Sequence, residues 1–316
     1  MKNFFFTIDV EIDKSPNWSI SKNATFNSII YGIDEILIPL LKKYNIKSTF
    51  FISPEVLEDL NCKNILLKNQ SENIEFATHL HAEFINPERL LFPNNMRKKY
   101  ADKFQTEYAP EIEFLKLQNL TDNFYNTFKY YPLSFRAGRY AIRDKTLEYL
   151  SYLKYKIDCS RTPGLKWKNN NHTINYTNSD NKIQFHKFKN KDLLSIPISI
   201  KKKYKNLNYL YKMYEKNFDK KTLYNKFFLK FLGYEWLRPA YNKNYNLVSY
   251  LQKINQENYV MTMHSNEITI NTSPYTKTKE DQIKLTTCLE NLFKYINNNN
   301  INSLMLKDLI KIYNIL

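Results

Sequence analysis

Apolar residues along this chain fall into two periods, and the two periods alternate. Residues 3–10, NFFFTIDV, form an unbroken apolar and aromatic run that reads as a buried strand. Over 24–44, Phe26, Ile29, Ile30, Ile33, Ile36, Leu37, Leu40 and Leu41 recur on one face of a helix, and Pro39 predicts a kink in it. Residues 47–52 (KSTFFI) are a second strand, after which Ser53-Pro54 reads as the N-cap and first-turn proline of a helix. A third strand covers 74–78. The alternation continues with a helix over 114–131, a strand over 133–136, a helix over 143–153 and strands over 155–158 and 194–198. A wet helix over 206–232, a helix over 246–255, a strand over 259–263, a helix over 279–295, a strand over 301–304 and a helix over 307–313 complete the pattern.

Strands that alternate with helices from end to end predict parallel strands joined by helical crossovers, an α/β fold of layered or barrel type. No linker rich in Pro, Gly or Ser divides the chain. The expected organisation is one domain over 1–316, with a Lys/Tyr-rich insertion at about 160–245. The 316 residues are ample for a buried core, and no stretch of about 18 apolar residues predicts a membrane span. With 4 Gly in all, and neither GxGxxG nor GxxxxGK[ST], dinucleotide and P-loop folds lose their main support.

The formal net charge is +16. Such an excess suits an anionic partner, but here it is spread along a chain rich in Lys, Asn, Ile and Tyr. No basic recognition helix or RNA-binding signature concentrates it, so a nucleic-acid partner is not expected, while an anionic membrane surface stays open. The densest part runs over 187–230, with Lys201, Lys202 and Lys203 adjacent, and offers a docking face. Cys62, Cys159 and Cys288 contain no CxxC pair, which argues against a thiolate zinc site and fits a reducing compartment. The N-terminal residues lack the pattern of a signal peptide, so the expected location is cytoplasmic.

Candidate chemistry sits where predicted strands end. In Thr7-Ile8-Asp9-Val10-Glu11, strand alternation puts Asp9 and Glu11 on one side, with Asp13 as a spare. Two carboxylates there read either as a base and a metal ligand or as solvated strand-end acids. In Thr78-His79-Leu80-His81-Ala82-Glu83, two of the chain's 5 His share a face if the segment is extended, and imidazole is a common ligand for zinc. Two His and one carboxylate make a three-ligand site with a place left for water; a helical turn would instead put Glu83 in the place of His81. Arg136, in Phe135-Arg136-Ala137-Gly138-Arg139-Tyr140, suits a bidentate pair with a catalytic carboxylate, and the glycine suits a tight turn that aims a backbone N–H at an oxyanion. His264 ends the strand over 259–263 and suits a general acid. Trp236-Leu237-Arg238-Pro239 reads as a substrate segment, with Trp167, Trp236 and Tyr241 suited to sugar rings and Arg238 to a phosphate or carboxylate.

Five ordered pieces resemble the polysaccharide deacetylase family, the NodB-homology carbohydrate esterases: TIDVE, KSTFFISPE, EFATHLH, SFRAGRY with YKIDCSRTPG, and VMTMHSNE followed by Ser273-Pro274-Tyr275. The resemblance spans most of the chain. It implies a distorted, seven-stranded (β/α) barrel and metal-dependent removal of an N- or O-acetyl group from a glycan, in cell-surface polysaccharide biosynthesis. It implies Asp9 as base, Glu11, His79 and His81 as metal ligands, Arg136 orienting Asp9, His264 as general acid and the backbone N–H near Tyr140 at the oxyanion. The implied ion is Zn²⁺, with Co²⁺, Ni²⁺ or Fe²⁺ as alternatives. This chain departs from the family pattern in three places. Asp-x-Glu replaces the adjacent acid pair, Glu83 stands where the second metal His is usual, and Ala-Gly-Arg-Tyr replaces a proline pair. Two other functions fit the same fold: hydrolysis of a non-sugar amide, and a metal-free carbohydrate-binding module.

Overall fold

Alternate residues of β1 (Asn3–Val10) serve two different cores. Phe4, Phe6, Ile8 and Val10 pack in one apolar cluster with Ile29, Ile33, Leu37 and Leu41, whereas Phe5 belongs to a second cluster with Phe51, Ala77, Ile157, Leu194 and Val260. A strand with an apolar core on each face must be central in its sheet, which explains why its sequence shows no polar alternation until Thr7 and Asp9. The computed structural model describes residues 2–15, 18, 20, 25–89, 103–169, 172–189, 191–216, 227, 233–241 and 246–315.

Parallel pairing runs from β12 (Asn258–His264) through β1, β2 (Ser48–Ile52), β3 (Ile74–Leu80), β4 (Ser134–Ala137) and β5 (Ile157–Asp158) to β9 (Lys191–Ser195). These seven strands form one parallel path. β8 (Gln184–Phe188) adds an antiparallel edge on β9, and the short β13 (Asn302–Ser303) joins β1. The chain after β9 carries the ring back: Ser199 N–H donates to Val260 C=O, Leu237 N–H to Ser199 C=O and Thr262 N–H to Leu237 C=O, at 2.9–3.1 Å. The α/β architecture is therefore a mostly parallel sheet curled toward closure, and the odd positions of β1 point to its inside.

Within the segment over 24–44, residues 27–44 form one continuous helical run that changes its winding at Ile38. A π-helical stretch, Ser28–Leu37, gives way to an α-helix, Ile38–Tyr44, with Pro39 in its first turn. Proline has no N–H to continue the wider winding, and in a first turn none is needed. Ser53 holds the N-cap position of the helix Pro54–Glu58 with Pro54 in the first turn, but its side chain makes no capping bond; its hydroxyl and N–H both donate to Val10 C=O, tying β2 to the end of β1. Within 160–245 the structure has strands where the sequence suggested few. β6 (Lys166–Asn169) pairs with β7 (His172–Asn175), and β10 (Ile200–Lys202) pairs with β11 (Tyr234–Trp236), both antiparallel. Of the wet helix over 206–232, the structure has Asn208–Lys216; residues 217–226 and 228–232 lie outside the described part, as does much of the basic stretch over 187–230.

Candidate metal centre and its flanking acids

The inward side chains near the C-terminal ends of the parallel strands converge. Asp9 stands opposite His264 in the β1–β12 register, and His79 stands opposite Arg136 in β3–β4. Glu11, His81, Arg139 and Tyr140 follow from the loops just beyond. All of these but Arg136, together with Lys14 and Trp18, line a cavity of about 250 Å³.

Glu11 Oε1 is the centre of the arrangement. His79 Nε2 and His81 Nε2 each lie 3.1 Å from it, and His264 Nε2 lies 3.6 Å away. The other nitrogen of each of the first two rings is committed. His79 Nδ1 is 3.0 Å from the Arg136 carbonyl oxygen, and His81 Nδ1 is 3.4 Å from Glu83 Oε1. Both neighbours only accept, so both Nδ1 atoms carry a proton and both Nε2 atoms turn toward Glu11, which, against burial, raises the His81 pKa to about 9. A proton or a cation must lie between each Nε2 and that buried carboxylate oxygen. The donor set, two nitrogens and one oxygen with fixed tautomers, fits a zinc-type divalent ion. His81 is extended and on the donor set, while Glu83 sits behind it at the start of a short helical turn, Ala82–Phe84. The helical alternative for Glu83 does not hold, because Glu83 is taken up by Arg139, at 2.6 Å.

Asp9 and Glu11 do lie on one side, and each is fully buried. Burial opposes the ionisation of Asp9, but the Arg136 guanidinium, at 2.5 Å, together with His79 and His264, holds its carboxyl below the usual range. Arg136 is itself spread over the Phe51 ring, 4.2 Å from its centroid, and donates to Thr7 Oγ1, Thr262 Oγ1 and Cys159 C=O. Burial likewise opposes ionisation of Glu11, and His81 and His264 pull it well below the usual range. His264 Nε2 faces Asp9 Oδ2 at 3.8 Å, and its Nδ1 sits 2.9 Å from Glu267 Oε1. Against burial, Arg238 and His264 keep Glu267 below the ordinary carboxylate range.

The structure moves two residues off the cavity. Arg238 is 2% exposed; its Nε and Nη2 donate to Glu267 at 3.0 and 2.5 Å, and it stacks on Tyr241 and Tyr275. A buried carboxylate beside it claims its charge before any ligand can. Trp236 packs behind Tyr140, with ring centroids 5.7 Å apart, rather than lining the cavity. Tyr140 does line it, on a backbone with positive φ at both Arg139 and Tyr140. Gly138 permits the approach that brings them there: a Cβ on it would lie 2.5 Å from the Leu80 carbonyl oxygen. Four residues escaped the sequence reading as site members. Lys14 follows Glu11 by three, Glu267 follows His264 by three, Arg139 follows Arg136 by three, and the fourth is Trp18. The spacing of three was the available signal for the first three.

No family model matches the sequence, and no curated protein matches it. Its structure is similar to that of a putative polysaccharide deacetylase from Mycobacterium smegmatis, with a TM-score of 0.51 and 10% identity over 98% of this chain and 90% of that one. It is equally similar to a 4-alpha-glucanotransferase from Thermococcus litoralis, with a TM-score of 0.51 and 10% identity over 98% of this chain; the chain spans only 38% of that protein. The class these likenesses define is one of fold: the chain has the α/β architecture of a polysaccharide deacetylase. Among the described residues no helix is long and apolar enough to cross a membrane.

Proposed function

We propose that the protein is a metal-dependent deacetylase that hydrolyses an N-acetyl or O-acetyl group on a sugar or glycan precursor, with one catalytic domain spanning the chain. The observation that carries this reading is the Glu11 carboxylate oxygen facing two imidazole Nε2 atoms, beside a buried Asp9–Arg136 pair.

Glu11, His79 and His81 are the residues that would hold the ion. When bound, a zinc-type cation polarises the acetyl carbonyl and makes water more acidic. Asp9 accepts the proton of the attacking water, kept ionised by Arg136 and aimed into the cavity by the β1 pleat. Tyr140, on its positive-φ turn, presents a backbone N–H toward the developing oxyanion. His264 lies across from Asp9 with Nε2 free to pass a proton to the departing amine or hydroxyl. The carbon–nitrogen or carbon–oxygen bond then breaks, and acetate leaves. Glu267 and Arg238 fix the His264 ring from behind. Trp18 packs edge-on against His264 and Tyr275, with centroids 6.0 and 5.3 Å away, and offers an exposed ring face to a sugar.

The test is the metal content of purified wild type beside His79→Ala, followed by acetate release from acetylated sugars. Near one equivalent of Zn, Co, Ni or Fe in the wild type, lost in the variant, supports the reading. No bound metal in either, even after soaking with Zn²⁺, sinks it and favours a metal-free carbohydrate-binding module.

A further inference from the structure

Glu11 belongs to two sets of donors. Glu11, His79 and His81 form one. Asp9, Glu11 and His264 form another, each offering one ligand atom, with the three atoms within 4.8 Å of one another. His264 Nε2 stands 3.6 Å from Glu11 Oε1 and 3.8 Å from Asp9 Oδ2. Both gaps are wider than a hydrogen bond, whose N···O distance ends at about 3.2 Å. They are a few tenths of an ångström wider than the ~3.3 Å between two donors on a tetrahedral ion with bonds of about 2.0–2.1 Å, so a small rotation of the side chains closes the set.

The backbone prepares this second set as it prepares the first. Asp9 and His264 are partners in the β1–β12 register. Ser265, the next residue, accepts from Glu11 N–H at 3.1 Å and donates to Glu11 C=O at 3.2 Å, locking the two strand ends together. Arg136 occupies Asp9 Oδ1 and Lys14 lies on the side of Glu11 Oε2, so Oδ2 and Oε1 are the oxygens turned to His264. Glu267 Oε1, 2.9 Å from His264 Nδ1, sets the ring with Nε2 toward the cavity. Asp9 and Glu11 are buried, while the His264 side chain is 14% exposed and gives an ion a way in.

The two sets are unequal. The first has two imidazoles and one carboxylate. The second has one imidazole; its Asp9 already pairs with Arg136, and its Glu11 is shared with the first. Two divalent ions on one carboxylate also repel where screening by water is weak. The second set therefore fills only after the first. Its donors include the residues that hydrolysis needs free, Asp9 to take a proton and His264 to give one. An ion held between them leaves neither base nor acid.

We propose, resting on the deacetylase reading, that Asp9, Glu11 and His264 form a second, weaker site for a zinc-type divalent cation, joined to the first through the Glu11 carboxylate, and that filling it arrests hydrolysis.

The experiment titrates the full chain, stripped of metal by a chelator, with Zn²⁺ in equilibrium dialysis and follows acetate release from an acetylated sugar on the same samples. The wild type should take up two equivalents, the second on the order of a thousandfold more weakly than the first. His264→Gln, which leaves the Asp9–Arg136 pair intact, should keep the tight equivalent and lose the weak one, and Asp9→Asn should do the same. His79→Ala should lose the tight one. In the wild type, acetate release should rise with the first equivalent and fall by about tenfold or more with the second. A single equivalent in the wild type, or a weak equivalent that survives either His264→Gln or Asp9→Asn, overturns the proposal and leaves the first centre standing. Two equivalents with undiminished hydrolysis overturn it as well. A wild type that takes up no Zn²⁺ at any concentration overturns both this proposal and the metal-centre reading beneath it.

Discussion

At the scale of single residues, the site is a set of buried charges matched in pairs, and their worth lies in not being broken. A buried pair contributes little net stability, but stripping one partner leaves the other stranded in low dielectric. Arg238 and Glu267 are 3% and 1% exposed at their side chains. Glu267→Gln should therefore destabilise the protein by about 3–5 kcal/mol near pH 7, read by chemical denaturation. The pH dependence has a defined sign. The folded-state pKa of Glu267 is depressed, so its contribution is complete above the unfolded value of 4.5 and is lost as pH falls below it toward the folded value. The gap between wild type and Glu267→Gln should thus narrow on acidification; a gap that stays constant from pH 7 to pH 3 would contradict the assignment. Arg136 should behave differently in one respect. Arg136→Lys keeps the charge but loses the fork that reaches Asp9, Thr7 and Thr262 at once, so activity should fall by about tenfold or more while the protein still folds.

At the scale of elements, the fit of loops to strand ends decides whether the donors meet. Gly138→Ala places a methyl group against the Leu80 backbone, which cannot swing aside as a side chain would. The expected cost is about 1–3 kcal/mol, with weaker Zn²⁺ binding because His81 follows Leu80 directly. Calorimetry on the variant checks both. Lys116 acts on the same loop from a helix, donating to the carbonyls of Ala82, Ile85 and Pro87, so the turn after His81 is pinned from the far side.

This is also the scale at which the sequence was most and least legible. β1, β2, β3 and β12 could be read because apolar and aromatic residues dominate them and they are buried on both faces. Asp9, Glu11, His79, Arg136 and His264 could be read because strand ends are where an inward side chain meets solvent. The hairpins β6–β7 and β10–β11 could not: KWKN, HTIN and IKK carry polar residues on both faces, and their pairing depends on neighbours far from any local pattern. The π-helical winding of Ser28–Leu37 was hidden for a related reason, since its apolar face satisfies an ordinary helical period. Arg238 was misplaced because nothing local says that Glu267 is buried beside it.

At the scale of the whole molecule, a bound ion would staple β1 to β3. Zn²⁺ at about a hundred times its dissociation constant should add about 2.7 kcal/mol to unfolding, a rise of a few degrees in Tm. EDTA should reverse the rise and His79→Ala should abolish it; a variant that gains as much as wild type would place the ion elsewhere.

The position of β1 between β2 and β12 has a consequence for how the molecule is made. Its ladder with β12, the Glu11 N–H bond to Ser265 and the facing of Asp9 and His264 all join residues some 254 apart in the chain. During synthesis, Glu11, His79 and His81 have all left the ribosome about 180 residues ahead of His264. Until then β1 has one unpaired edge, the kind of surface on which nascent chains stick to one another. A growing chain can thus gather its three candidate donors long before it has His264. The facing of Asp9 and His264 waits for that later segment, and β1 depends on the same segment for cover.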